Sequence, residues 1–202
     1  MFQYLYLIIK KENIKMAFNI ADFQEALAQQ GARPNLFEMT LTVPSGLGAA
    51  VVNTNFTKLC KTAQLPGSTI GVVEVQYFGR PVKMPGNRTF ENLTTTIIND
   101  EGFELRHSVE AWMAFLNSHE SNTTNVAGGT AGLNYTGTLV IQQYNRDGSF
   151  TSNANYTFNK CWPVNVAPID MDWGTNDTIE EFTVEWAYDW WSNATSVDTF
   201  DK

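Results

Sequence analysis

A chain of 202 residues is long enough for one domain with a sizeable core, and its 43% hydrophobic fraction is that of a soluble globular protein. A formal charge of -8 argues against nonspecific nucleic-acid binding, because neutralising phosphates takes a surplus of Lys and Arg. Cys60 and Cys161 stand far apart in strand-like stretches and read as buried free thiols in preference to a disulfide, and with only His107 and His119 beside them no zinc-ligand spacing is present.

Met1 to Ile9 is almost wholly apolar but too short to span a bilayer. Lys10, Lys11 and Lys15 follow this run instead of preceding it, which is the wrong order for a signal peptide. Met16-Ala17 then opens a stretch that reads as an ordinary protein start. Residues 1–15 are therefore expected to be a dispensable or non-native extension, and 16–202 a single domain. The extension carries three Lys and one Glu, so without it the charge moves from -8 to -10.

Asp22 can cap a short helix running to about Gln29, with Phe23, Ala26 and Leu27 on one face and Gly31 as the stop. Phe37 to Val43 alternates apolar and polar residues with the period of a half-buried strand. Val51 to Thr62, Val72 to Phe78, Pro81 to Met84 and Leu93 to Ile98 also read as strands, punctuated at Leu65-Pro66-Gly67 and Pro85-Gly86-Asn87. One helix is clear. After Asn99 or Asp100 as cap, Leu105, Val109, Trp112, Met113 and Leu116 form a single apolar stripe suited to packing on a sheet.

Ser121 to Gly137 reads as a loop. Thr138 to Tyr144 and Ala154 to Trp162 form a hairpin through Asn145-Arg146-Asp147-Gly148, and Ile179 to Trp190 closes the chain. In the second of these strands Ala154, Tyr156, Phe158, Lys160 and Trp162 oppose Asn153, Asn155, Thr157 and Asn159. In the third, Phe182, Val184, Trp186, Tyr188 and Trp190 oppose Glu181, Thr183, Glu185 and Asp189, giving an acidic outer face.

No phosphate-binding loop, dinucleotide fingerprint, zinc-protease helix or nucleophile elbow occurs, so neither an enzyme nor a cofactor is expected. Around Asp170, Asp172 and Asp177 the acidic residue expected before the glycine of a calcium loop is replaced by Trp173 and no Glu closes the loop at the right distance, so the cluster reads as a solvated turn. Eight Asn-x-Thr sequons occur, but several would place a sugar inside a strand, which disfavours a secreted glycoprotein.

An ordered set of strings carries more information than any of these motifs. Ala32-Arg33-Pro34-Asn35-Leu36-Phe37-Glu38 is followed by Leu65-Pro66-Gly67, Pro85-Gly86-Asn87-Arg88-Thr89-Phe90 and Ile98-Asn99-Asp100-Glu101. Cys161-Trp162-Pro163-Val164-Asn165-Val166 and Tyr188-Asp189-Trp190-Trp191 complete the set. In order and spacing, over about Gly31 to Trp191, they resemble the tail tube proteins of contractile-tailed (myovirus-type) bacteriophages. The resemblance implies a mainly β fold, an antiparallel barrel or sandwich with one flanking helix, related to the tube protein of type VI secretion. It also implies hexameric rings stacked into a hollow tube in the virion tail, assembled in the bacterial host cytoplasm. Such a tube is wrapped by a contractile sheath, starts on a baseplate and ends at a terminator, and DNA passes through it without specific binding.

In that setting the uncharged faces of the hairpin strands, Gln143, Asn155, Thr157 and Asn159, are expected to line the lumen. The acidic row Glu181, Glu185 and Asp189 is expected to face the sheath. The competing readings are a terminator or baseplate hub subunit and, further off, a secreted carbohydrate-binding β-sandwich with an exposed aromatic platform.

Overall fold

The computed structural model describes residues 20–27, 31–44, 47, 55–123 and 135–193. Residues 1–15 fall outside these, as do most of the 121–137 loop and the start of the expected strand at Val51. Residues 1–33 make one unit and 34–202 another. The first contains α1 (Ile20–Ala26), with Asp22 in its opening turn and Phe23 and Leu27 exposed.

In the second unit, period-2 alternation builds an antiparallel sheet whose strands run in the order β1-β6-β7-β8-β5-β2. These are β1 (Phe37–Thr42), β2 (Cys60–Thr62), β5 (Leu93–Ile98), β6 (Gly137–Tyr144), β7 (Phe150–Val166) and β8 (Glu181–Ala187). A further strand, β9 (Trp190–Asn193), also pairs with β7. The path curls upon itself: Cys60 Sγ on its last strand stands 3.7 Å from Met39 Sδ on its first. The result is a nearly closed barrel filled by Met39, Leu93, Ile97, Leu139, Ile141, Phe158, Phe182, Val184 and Trp186. Burying Phe158 and Phe182 contributes about 1.5–3 kcal/mol each.

Where a strand was expected from Val51 to Thr62, the described part is α2 (Phe56–Leu59) followed by the short β2. Packing overrides local propensity here, because the helical turn drives Phe56 into the core against Trp186, edge to face at 6.2 Å. The longer helix, α3 (Glu104–Leu116), buries Leu105, Val109 and Trp112. Asp100 does cap it, but from four residues ahead: its carboxylate accepts the N–H groups of Glu104 and Leu105, while Phe103 takes the left-handed N-cap position at φ 53°.

Both cysteines are free. Burial pushes the Cys60 thiol up to about 12, against a smaller lowering by its hydrogen bond to Thr62, and raises the Cys161 thiol as well. Neither is a ready nucleophile or metal ligand.

Between β2 and β5 the chain leaves the barrel as a separate ribbon, in which β3 (Thr69–Tyr77) pairs, among the described residues, with β4 (Arg80–Thr89) alone.

Candidate assembly surfaces

The first surface is the outward side of β1, β6, β7 and β9. Register places Asn155 opposite Gln142, and Thr157 between Val140 and Ser192, while Asn159 pairs with Trp190. Gln143 departs from expectation. It pairs with Phe37, in phase with the buried Met39 and Ile141, so Gln142 takes its place beside Asn155. The cause is the two-residue period: adjacent residues of one strand point to opposite sides.

This face is almost free of net charge. Its one carboxylate on β1, Glu38, accepts a hydrogen bond from the Tyr144 hydroxyl. Among the described residues the buried Asn155 Oδ1 has no hydrogen-bond partner.

Beyond Asn159 β7 departs from simple alternation. Lys160 adopts φ 54°, and the extra residue it inserts turns Cys161 and Pro163 into the core, leaving Trp162 half-exposed. Lys160 and Trp162 therefore do not share the Phe158 face. Lys160 Nζ instead sits 3.1 Å from Asp189 Oδ2 and 4.9 Å above the Trp190 ring.

The same irregularity splits the expected last strand. β8 ends at Ala187, Tyr188 packs on Phe158, and the chain resumes as β9 with Trp190 in solvent. Asp189 lies in the break and is bound to Lys160, so it does not continue the acidic row; Trp190 does not continue the core row.

The second surface is the outward side of β8 and β5. Glu181, Thr183 and Glu185 point outward opposite Ile98, Thr96 and Thr94, while Phe182, Val184 and Trp186 are buried. Glu181 pairs with Lys61 at 2.5 Å, and Glu185 accepts from Asn92 Nδ2 at 2.8 Å. The two polar surfaces thus stand back to back across one core.

The third surface is the β3–β4 ribbon. Register puts Val73, Val75, Tyr77, Val82 and Met84 on one side, all exposed, and Glu74, Gln76, Pro81 and Lys83 on the other, with a Glu74–Lys83 contact of 3.5 Å. Its alternation is legible in the chain, but nothing local says that no third strand covers it. A two-stranded ribbon alone is marginal, and an uncovered apolar face marks a binding surface.

Among the described residues no cluster of three or more His, Cys, Asp or Glu could hold a metal, and no helix is long and apolar enough to cross a membrane. Asp172 forms a tight turn, its Oδ1 accepting the Gly174 N–H at 2.9 Å.

A barrel with two polar faces across one core and an amphipathic ribbon left in water has the surfaces of an assembly subunit. A family model described as phage tail tube protein matches residues 32–194, and the chain belongs to that family. It is 30% identical over 180 residues to "Tail tube protein gp19" of Enterobacteria phage T4 and 31% identical to that of phage T6, with 89% of this chain and 98% of each relative covered. Among solved structures, a chain of the anti-feeding prophage baseplate has the same fold, at TM-score 0.54 and 15% identity, over 82% of this chain and 97% of that one.

Proposed function

We propose that this structural tail tube subunit closes six-membered rings that stack into the inner tube of a contractile tail. In this reading β1, β6, β7 and β9 line the channel for DNA, and the outer face of β5 and β8 meets the sheath. The observation that carries it is the back-to-back placement of a polar sheet with almost no net charge and an acidic one across a single core.

Physics supports the arrangement. Six subunits giving four strands each make 24 strands, which at about 4.8 Å spacing and about 40° tilt enclose a backbone diameter of roughly 48 Å. Among the described residues the outer edges of β1 and β9 have no strand partner, so pairing between neighbours would continue the sheet and cover those two edges. Amides and hydroxyls such as those of Gln142, Asn155, Thr157 and Asn159 offer no cation to hold phosphate. On the opposite side Glu181 and Glu185 already have partners in the subunit, so each contact to a sheath would be worth at most about 1 kcal/mol and release readily on contraction. Baseplate and terminator would bound the tube at its two ends, and the virion tail is its place.

Purified protein at high concentration should form rings or tubes in negative-stain micrographs. A strictly monomeric species, even on a baseplate template, would overturn the reading. The two faces are separable by a crossed experiment. Asn155→Lys with Asn159→Lys should slow DNA ejection while sheathed tails assemble normally, and Glu181→Lys with Glu185→Lys should weaken sheath assembly on intact tubes. Effects that are exchanged or absent in tubes shown to contain the substitutions would refute the face assignment.

A further inference from the structure

The strands assigned to the channel wall carry one cation, and it does not stand alone. Among the described residues β1, β6, β7 and β9 contain a single Lys, Lys160, and no Arg. We propose that Asp189 shields this ammonium and so keeps the wall from gripping passing DNA, an inference that rests on the tube reading above.

Two backbone irregularities bring the pair together. Lys160 takes φ 54°, a left-handed conformation that a residue other than glycine adopts only under strain. In a regular strand its side chain would follow Phe158 towards the core; the inserted residue swings it out, and Nζ comes to lie 4.9 Å above the Trp190 ring. Trp190 is the Cα partner of Asn159, and residues opposite one another in an antiparallel pair share a face. The ammonium therefore stands on the side of Asn155, Thr157 and Asn159. On the neighbouring segment the break between β8 and β9 falls at Asp189, whose N–H donates to the Asn159 carbonyl at 3.2 Å. That bond sets the carboxylate beside the lysine, with Asp189 Oδ2 3.1 Å from Lys160 Nζ.

The pair is too wet to be mainly a structural tie. Its side chains are 35% and 44% exposed, and ion pairs in such surroundings add little to stability. Its consequence is electrostatic. Duplex DNA carries one charge per about 1.7 Å of its axis, so a bare ammonium on the wall would meet phosphate at every stage of the passage. Repeated in every subunit along a tube, weak contacts of that kind would add into a drag. Paired with Asp189, Lys160 brings no net charge to the wall, and the Trp190 ring gives its ammonium a second hold.

The test reads the rate of DNA ejection, against salt, from tails built with full-length variants. Asp189→Asn keeps the side-chain shape and removes the charge; it should slow ejection by about threefold or more at low ionic strength, the difference fading as salt rises, with thermal unfolding close to wild type. Asp189→Glu and Lys160→Gln should eject as wild type. Lys160→Gln with Asp189→Asn should restore the wild-type rate, which loss of a structural tie could not do. Wild-type ejection by Asp189→Asn, a slowing that salt does not relieve, or a double variant as slow as Asp189→Asn overturns the shield. So does failure of Asp189→Asn to assemble, which would make the pair a structural tie after all. Asn155→Lys with Asn159→Lys judges the channel assignment separately: slowing there without slowing in Asp189→Asn removes the shield alone, and slowing in neither removes both.

Discussion

Replacing Gly137 by alanine should destabilise the subunit by about 3 kcal/mol or more. Gly137 opens β6 opposite Cys161, and a Cβ there would press into the Thr42 carbonyl oxygen and stand 2.7 Å from Trp112 Cη2. Neither neighbour can yield cheaply. Thr42 is held in the β1–β6 ladder, and Trp112 is buried with its indole N–H donating to the Tyr135 carbonyl at 2.9 Å. At about 2–4 °C per kcal/mol, the thermal midpoint should fall by about 6–12 °C. Adding Trp112→Phe removes the crowding indole atoms but not the Thr42 oxygen, so the double variant should lose less than the two single losses combined. Strict additivity would place the clash on the Thr42 carbonyl alone.

Trp186→Ala should cost about 3–5 kcal/mol, since it empties the centre of the barrel where Trp186 packs on Phe56 and Trp112. Part of that loss is polar and can be isolated. Trp186 Nε1 donates to Thr95 Oγ1 at 2.9 Å, and Thr95 Oγ1 donates in turn to the Val184 carbonyl, all out of water. Thr95→Val leaves the indole N–H without its acceptor and should cost about 1–3 kcal/mol. Trp186→Phe together with Thr95→Val removes both groups and should cost less than the single losses combined, read by urea unfolding. A simple sum would mean that the hydrogen bond is not coupled.

What the sequence could reveal followed from local periodicity. The alternation at Phe37–Thr42 and Glu181–Ala187 and the stripe Leu105, Val109, Trp112 emerge as β1, β8 and α3 with the expected inward faces. The misreadings concentrate at Lys160. Nothing in a lysine announces a left-handed backbone, yet that one residue inverts the facing of Cys161 and Pro163 and matches the break that detaches Asp189 and Trp190 from β8. Polarity alone cannot tell which of the adjacent Gln142 and Gln143 faces outward; only the Phe37 and Ile141 register does. The strands of the ribbon were legible, but their lack of cover is a tertiary property. Val51–Thr62 failed because burial of Phe56 outweighs strand propensity.

The ribbon also bears on how the subunit survives before it finds a neighbour. A long, lone, apolar ribbon is a template for runaway strand addition. Here Pro81 and Pro85 lie in β4, and proline is accommodated in a strand only where its missing N–H would have faced outward. The free border of β4 is thus stripped of donors at those two positions, and a stray strand finds an interrupted ladder. Sideways growth is denied while the face stays open, so an unassembled subunit stays competent for a surface of the right shape.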